Sequence, residues 1–465
     1  MLGSRALGLP VSVIERFPYG KAPFWLSVLA LSSVLLVAFV AQRSQAEKPD
    51  LTFAFSAPNH VPFYARVTPE FEKRHHVKVG LQLVNSRALQ TRLQNAMLSG
   101  TEVPDLVELQ EFALSFFTRG PLSDVGFLDL TDRLEREGYR QRLVESRLSL
   151  WTVRERVFAV PHDVHPVMLM YRADLVEALG IDVTRLTTWD EFVAAGRRVV
   201  RDLDGDGVPD RYMIDLPSAG NWGLTILLRQ RGIGLFDSRG RVAFNNATAV
   251  DTLAWYLHQS FGPQRIAYEC GWGQSLAKAM SDGLALFYIA PDWRTLLMET
   301  DVPRLRGKMK LMPLPAWERG GRRTSVWGGS GLAVTRASAH TELAWEFAKA
   351  LYFNPKELGQ RFAFSNIIPP FKDAWNLPEF QRENPYYSGQ KLGALYAELA
   401  PETPEAWSTA YNTVAEGKLS EVFLHAVAHF RAHGDAGLRE LLARELADAQ
   451  LYVERIMSRN VLASR

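Results

Sequence analysis

The densest chemistry in this sequence lies at Asp202, Asp204, Asp206 and Asp210. Carboxylates at loop positions 1, 3, 5 and 9, with Gly207 at position 6, match the spacing of an EF-hand-type calcium loop. Four carboxylates so close together repel one another unless a cation joins them. Position 12 is Met213 rather than Glu, so the usual bidentate ligand is missing, and Asp215 is the nearest substitute. A weakly bound structural Ca2+ and a plain acidic surface turn are the two readings of this run.

Aromatic rings are the second resource. The chain has twelve Trp and fourteen Tyr, and such side chains either pack in a core or make flat walls for the C–H faces of sugars. Trp222 (Asn-Trp-Gly) and Trp272 (Gly-Trp-Gly) sit in polar, glycine-flanked loops. Trp327 adjoins Gly328-Gly329, where the backbone could approach a ligand. His425, His429 and His433 share one helical face, which reads as a solvated face or a metal site, but no HExxH acid accompanies them. Cys270 is the single cysteine, so no intrachain disulfide forms, and a small packed residue is the preferred reading over a nucleophile. GxSxG, P-loop, HExxH and paired CxxC motifs are all absent. No reaction class is therefore indicated, although two cleft carboxylates could still serve a glycosidase.

These residues need a scaffold, and strands alternating with helices supply it. Leu51–Phe55 reads as a strand, 61–75 as a helix, 77–84 as a strand, 88–98 as a helix closed by Gly100, and 104–109 as a strand. The apolar run 167–170 ends at Tyr171, as a buried strand does at a cleft mouth. A short helix over 174–179 follows, stopped by Gly180. Thr188 and Glu191 then form a capping box. Residues 187–281 read as mostly helical around the acidic loop. Strands follow at 284–289, 308–313 and 332–335, and an amphipathic helix begins at Leu438. This alternation implies parallel α/β architecture.

The segment from Phe158 to Phe192 resembles the extracellular solute-binding proteins of ABC importers, the family that includes the maltose-binding proteins. Its order is strand, terminal Tyr171, helix, loop, then Thr188-Trp189-Asp190-Glu191. Arg172 stands where the family usually has Asn, and Thr187 where it often has Pro. Further marks occur in the family's order: Phe71-Glu72-Lys73, Gly100 with Pro104-Asp105-Leu106-Val107, Trp293, Leu314-Pro315, Gly328 to Ala333, and Ala344-Trp345-Glu346-Phe347. The resemblance spans residues 50 to 370.

It implies a two-lobed, class II-like periplasmic-binding-protein fold, with hinge crossings and a ligand cleft between the lobes. Residues 47–162 plus 290–332 would form the N-terminal lobe, and 163–289 plus 333–465 the C-terminal lobe. The chain would enter the second lobe near Pro161, return near Ala290 and cross again near Leu332. By resemblance, Tyr171 and Trp293 match sugar-stacking positions, and Glu108, Gln110 and Glu111 match positions that face sugar hydroxyls. Asn59 and His60 would lie at an equivalent cleft edge, and Asp163 and Asp292 beside the crossings. Tyr386-Tyr387 is similar to the iron-binding pair of ferric-binding relatives, although its Asn-Pro flank suits a loop. The implied function is capture of a mono- or oligosaccharide, without catalysis or a required cofactor, and delivery to the importer's permease. A polyol, sugar phosphate or ferric ligand is the alternative, with Arg172 and Arg294 leaving room for an anion. A membrane-anchored sensor and a glycan hydrolase are the readings from other classes.

The N-terminus fits an extracytoplasmic address. Arg5, Arg16 and Lys21 precede an uncharged run from Ala22 to Gln42, whose apolar core, 24–41, is about as long as a bilayer needs, roughly 17–25 residues. Ser44 and Ala46 suit a signal-peptidase site, so residues 1–46 are a cleaved signal peptide or a retained membrane anchor. No cysteine lies near for a lipoprotein form. With a net charge of +2 and no Lys/Arg run, nucleic acid is not expected as a partner. A monomer is expected.

Overall fold

A computed structural model describes residues 21–44, 48–111 and 113–460. The chain forms two compact units, residues 1–50 and 51–465. In the first, the described residues form the helix Lys21–Ser44. Among the described residues no helix is long and apolar enough to cross a membrane. Arg5, Arg16 and the cleavage position after Ala46 lie outside the described residues.

Among its described residues the second unit holds twelve strands: β1 (Leu51–Phe55), β2 (Val79–Leu83), β3 (Leu106–Gln110), β4 (Thr152–Val153), β5 (Arg156–Val157), β6 (Val160–Pro161), β7 (Val167–Arg172), β8 (Tyr212–Asp215), β9 (Ala267–Tyr268), β10 (Ala285–Pro291), β11 (Met309–Pro313) and β12 (Ser330–Val334). Two five-stranded sheets result, in the orders β2-β1-β3-β12-β6 and β11-β7-β10-β8-β9, while β4 and β5 pair as a hairpin. In the first sheet β1 runs parallel to β2 and β3, and β12 enters antiparallel between β3 and β6. In the second, β10 is parallel to β8 and antiparallel to β7.

Period-two alternation explains why these strands read as continuous apolar runs. Met168 and Met170 of β7 face one core with Tyr387 and Tyr396, while Val167, Leu169 and Tyr171 face another with Trp189, Phe192 and Leu253. Both faces are covered, so every residue of β7 is buried. The helix Trp189–Val199 starts where its sequence says it should. Glu191 N donates to Thr188 Oγ1 (3.3 Å), and Thr188 N donates to Glu191 Oε2 (3.0 Å).

The segment boundaries differ from the sequence expectation. Residues 290–313 do not return to the first lobe: Ala290 registers with Met168 of β7, and β11 pairs with the other edge of β7. After β12 in the first sheet, the helix Thr341–Tyr352 packs there too, with Ala344, Phe347 and Leu351 in the core that holds Phe53 and Phe71. Only the last two helices, Asn412–His433 and Leu438–Ser458, join the core behind the second sheet. Residues 384–390 also reach the second sheet, where Gln390 exchanges hydrogen bonds with Leu311 of β11 (2.7 and 2.9 Å). The crossings therefore include 162–166, 314–329 and the stretch after Ala400. There Ala406 N donates to Ser149 Oγ (2.9 Å) on the first side, and Tyr411 packs against the second core. Apolar strand residues do not say which sheet they join; register decides it. The middle segment also holds two strands, β8 and β9, where the sequence read as helical.

Candidate functional site

The first crossing carries a buried charge array. Asp163 follows β6, Asp292 follows β10, and both are fully buried. His165 bridges them, with Nε2 3.1 Å from Asp163 Oδ2 and Nδ1 2.5 Å from Asp292 Oδ1. Burial alone would push this imidazole down, but the two carboxylates outweigh it and hold the ring up to about 9. Burial likewise opposes the charge on Asp163, yet His165 and His162 overcome it and keep that carboxyl well below the usual range. Backbone amides take further lone pairs: Ser330 N donates to Asp163 Oδ2 (3.0 Å) and Ile368 N to Asp292 Oδ2 (2.9 Å). Arg147 lies 3.5 Å from Asp163 and donates to the Gly328 carbonyl (3.0 Å). Asp163 and Asp292 are therefore parts of the hinge rather than ligand contacts. They tie the segments 162–166, 291–293 and 328–330 together.

Glu108 and His60 are also interior. On β3, Leu106 and Glu108 share the face that carries the main core, so Glu108 is 1% exposed. It accepts hydrogen bonds from the Tyr64 hydroxyl and from His60 Nδ1 (2.7 Å), and Tyr64 and Tyr352 hydroxyls meet at 2.9 Å. The His60 ring stacks on His162 with centroids 4.0 Å apart. His60, Glu108 and His162 bring ligand atoms within 4.8 Å of one another. Within this group His162 Nε2 and Glu108 Oε1 are buried without a hydrogen-bond partner. Neither Glu108 nor His60 lies at a cleft edge. Asn59 is exposed in the turn Pro58–His60, and the exposed Gln110 accepts from Ser86 Oγ (3.0 Å).

Glu111 does reach across. Its carboxylate lies 2.5 Å from Arg229 Nη2, on the helix Trp222–Gln230 of the second lobe. Both side chains are largely buried, and this ion pair ties the lobes directly.

Four tryptophans meet, Trp222 and Trp293 from helix starts and Trp272 and Trp327 from loops. Trp222 and Trp327 stack face to face, 4.3 Å apart and 7° from parallel. Trp293 packs edge-on to Trp327 (5.1 Å), and its Nε1 donates to the Trp327 carbonyl (3.2 Å). Trp272 closes the group at 5.7 Å from Trp222 and remains 49% exposed. The buried Arg294 guanidinium sits 4.8 Å from the Trp272 ring centre. Four of the five expected aromatics are thus brought together. Tyr171 is not among them: it is 5% exposed and stacks on Phe287 inside the core behind the second sheet. Its place on β7, in phase with Val167 and Leu169, turns it away from the cleft. Arg172 is also occupied, by Asp174 and the Met280 and Ser281 carbonyls.

A cavity of about 880 Å³ opens between the lobes. It is lined by Thr118 and the β4–β5 hairpin from the first, by the turn 237–240 from the second, and by the crossing residues Trp407 to Tyr411. Its size is in the range of small-molecule sites. The hydroxyls of Ser408 and Tyr411, on residues of its wall, have no hydrogen-bond partner. Sequence reasoning missed Trp407, Tyr411 and Arg154. The signal available was one aromatic pair, four residues apart, in the Pro-rich stretch before a long helix.

Asp202, Asp204 and Asp210 bring their carboxylates within 4.8 Å of one another on an exposed loop, and Asp206 is outside that group. Much of their acceptor capacity is spent on the loop itself. Asp202 accepts from the amides of Gly205 and Gly207, and Asp210 from that of Leu203. Asp215 is not available as the missing ligand: it is buried in β8 and accepts from the Cys270 amide (2.9 Å). Tyr386 and Tyr387 are also buried, donating to the Val302 and Thr295 carbonyls. His425 pairs with Glu445 and His429 with the Ala436 carbonyl.

Known proteins resemble this chain in sequence and in architecture. An arabinooligosaccharide-binding protein of Bacillus subtilis (strain 168) is 26% identical over 373 residues, covering 78% of this chain and 83% of its own length. A lactose-binding protein of Rhizobium radiobacter is 24% identical over 382 residues, covering 80% of each. Among solved structures, the sugar-binding protein MalE of Xanthomonas citri superposes with a TM-score of 0.68 at 18% identity, over 88% of this chain and 99% of that one. The ABC transporter associated binding protein of B. animalis subsp. lactis Bl-04, in complex with beta-1,6-galactobiose, gives 0.64 at 18%, over 87% and 97%. The two-lobed fold is shared with them. Residues 57–356 match the family described as bacterial extracellular solute-binding protein, and the chain belongs to that family.

Proposed function

We propose that the protein captures a carbohydrate between its lobes and delivers it to the membrane permease of an ABC importer, without catalysing a reaction. The observation that carries this reading is the convergence of Trp222, Trp272, Trp293 and Trp327 from separate segments beside a hinge. Exposed indole faces bind the C–H faces of sugar rings, and the polar crossing segments supply donors and acceptors. Lobe closure then presents a shape that the permease can recognise. The names of the arabinooligosaccharide- and lactose-binding relatives support a saccharide.

An extracytoplasmic location belongs to the same proposal, with the segment 24–41 serving as an export signal cleaved after Ala46 or as a tether. The monomeric state is proposed as well. A ferric ligand held by Tyr386 and Tyr387 is disfavoured by their burial. A glycosidase built on Asp163 and Asp292 is disfavoured because both carboxylates serve one histidine. The loop 202–210 is proposed as a weak calcium site.

Thermal unfolding of residues 47–465 against mono- and oligosaccharides, polyols, sugar phosphates and ferric chelates tests the reading. A ligand that binds only the folded state raises the midpoint with its concentration. A shift with saccharides is expected. Shifts confined to iron or phosphorylated ligands would replace the carbohydrate with a ferric complex or a sugar phosphate.

A further inference from the structure

The buried charges of the first crossing also hold the tryptophans. Asp292 opens the helix Asp292–Asp301, and Trp293 is its next residue. The oxygen that takes His165 Nδ1 (2.5 Å), Asp292 Oδ1, also accepts from the Trp293 amide (2.7 Å). Asp163 repeats this pattern on the other ring nitrogen. Its Oδ2 lies 3.1 Å from His165 Nε2 and accepts from the Ser330 amide (3.0 Å). Ser330 directly follows Trp327, Gly328 and Gly329. Trp293 Nε1 then donates to the Trp327 carbonyl (3.2 Å). One imidazole therefore closes a circuit of hydrogen bonds through both indole-bearing segments.

The two rings also flank one residue. A Cβ on Gly328, whose φ is 86°, would lie 3.6 Å from His165 Cδ2 and 3.8 Å from Trp293 Nε1. His165 itself has a φ of 57°. Few described residues other than glycine adopt such left-handed backbone, Arg154 and Glu155 between β4 and β5 among them. The conformation is uncommon for a side chain of this kind and concentrates at functional sites.

We propose that His165 is a positioning residue of the saccharide site, setting Trp293 through Asp292 and the Trp327 turn through Asp163. This rests on the carbohydrate reading and deepens it. A protonated imidazole has two N–H donors, one for each aspartate, and a neutral one has a single donor. Loss of the proton therefore leaves one carboxylate without its partner and loosens the indole segment behind it. Other charged and titratable groups face the same aspartates: Arg147, His162, Arg361 and Tyr396. The two guanidiniums stay charged. Burial keeps the His162 ring neutral and the Tyr396 hydroxyl protonated, so His165 is the member of this group that changes charge near pH 9.

The test follows two signals from pH 7 to 10. One is calorimetric affinity for arabinotriose, lactose and maltose. The other is fluorine NMR of fluorotryptophan-labelled protein, with the Trp293 resonance assigned by Trp293→Phe. Affinity for at least one sugar is expected to fall roughly tenfold between pH 8 and 10. The Trp293 resonance is expected to shift with a midpoint near 9. His165→Gln should show neither step and should bind at every pH about as weakly as the parent does at pH 10. A residue that served stability alone would move the thermal midpoint and leave the affinity of the folded protein flat. Either signal flat in the parent overturns the proposal, as does a step that persists in the variant. If none of the sugars binds, the carbohydrate reading fails. A Trp293 step that His165→Gln abolishes would then still show the positioning, and its absence would overturn both.

Discussion

Raising the pH should loosen the hinge through one residue. The His165 imidazole titrates near 9 in the folded protein, between Asp163 and Asp292, against about 6.5 for an unfolded histidine. Below about 6.5 both states hold the proton, and the bridge contributes its full stability. Between about 6.5 and 9 the unfolded chain has released the proton and the native hinge has not, so stability falls at about 1.4 kcal/mol per pH unit. Above about 9 the contribution is gone. The gap of about 2.5 in pKa corresponds to about 3 kcal/mol, an order-of-magnitude figure for a histidine facing two buried carboxylates. Other groups titrate in the same window, so the measurement is a difference. Urea unfolding free energies of the parent and of His165→Gln would be followed from pH 6 to 10. The parent should lose about 3 kcal/mol relative to the variant over that range. Parallel curves would show that the proton is not held between the two aspartates. A native imidazole resonance titrating near 6.5 would refute the reasoning without the variant.

Trp272→Ala should weaken saccharide binding by roughly 1–3 kcal/mol in calorimetry while the thermal midpoint stays near the parent value, because that ring is the most exposed of the four. Unchanged affinity would remove it from the site. Breaking the Glu111–Arg229 pair with Arg229→Met leaves a largely buried carboxylate unpaired, and should destabilise the closed form by roughly 3 kcal/mol. Faster ligand release in stopped flow would register it, and an unchanged off-rate would argue that the pair does not span a moving boundary. Gly331→Ala should cost roughly 1–3 kcal/mol in urea, because a Cβ there would sit 2.5 Å from the Trp151 ring. Millimolar calcium should raise the thermal midpoint, and Asp202→Asn should abolish the rise; no rise in the parent would leave the loop as a plain turn.

Local elements were legible where one residue's surroundings are set by its sequence neighbours. The helix 61–75 and the strand 51–55 occur where their patterns place them, and the Thr188–Glu191 cap forms as its spacing requires. Legibility failed where tertiary register decides. Tyr171 reads as the end of a buried strand, and it is, but which face it takes follows from the phase of β7. Glu108 looks like a strand-end acid, yet Tyr64, fixed by the helix 61–75, draws it into the core. Ala290 gave no sign that β10 would pair with β7 rather than cross back. Trp222, Trp272 and Trp327 were legible as candidates because each adjoins glycine in a polar loop, and Trp293 because its position matches the family's. Their convergence depends on loops over a hundred residues apart in sequence. Arg154 was illegible because nothing in Val-Arg-Glu-Arg announces a left-handed turn.

The stacked indoles of Trp222 and Trp327 have an optical consequence. Two chromophores 4.3 Å apart and 7° from parallel share their excited state, so their near-ultraviolet dichroism and emission belong to the pair rather than to either ring. One ring sits on the helix 222–230 of the second lobe and the other on the crossing that leads to β12. A movement of one support against the other therefore changes the spectrum even when no saccharide touches either indole. The protein carries an internal gauge of its own hinge, readable without any attached dye.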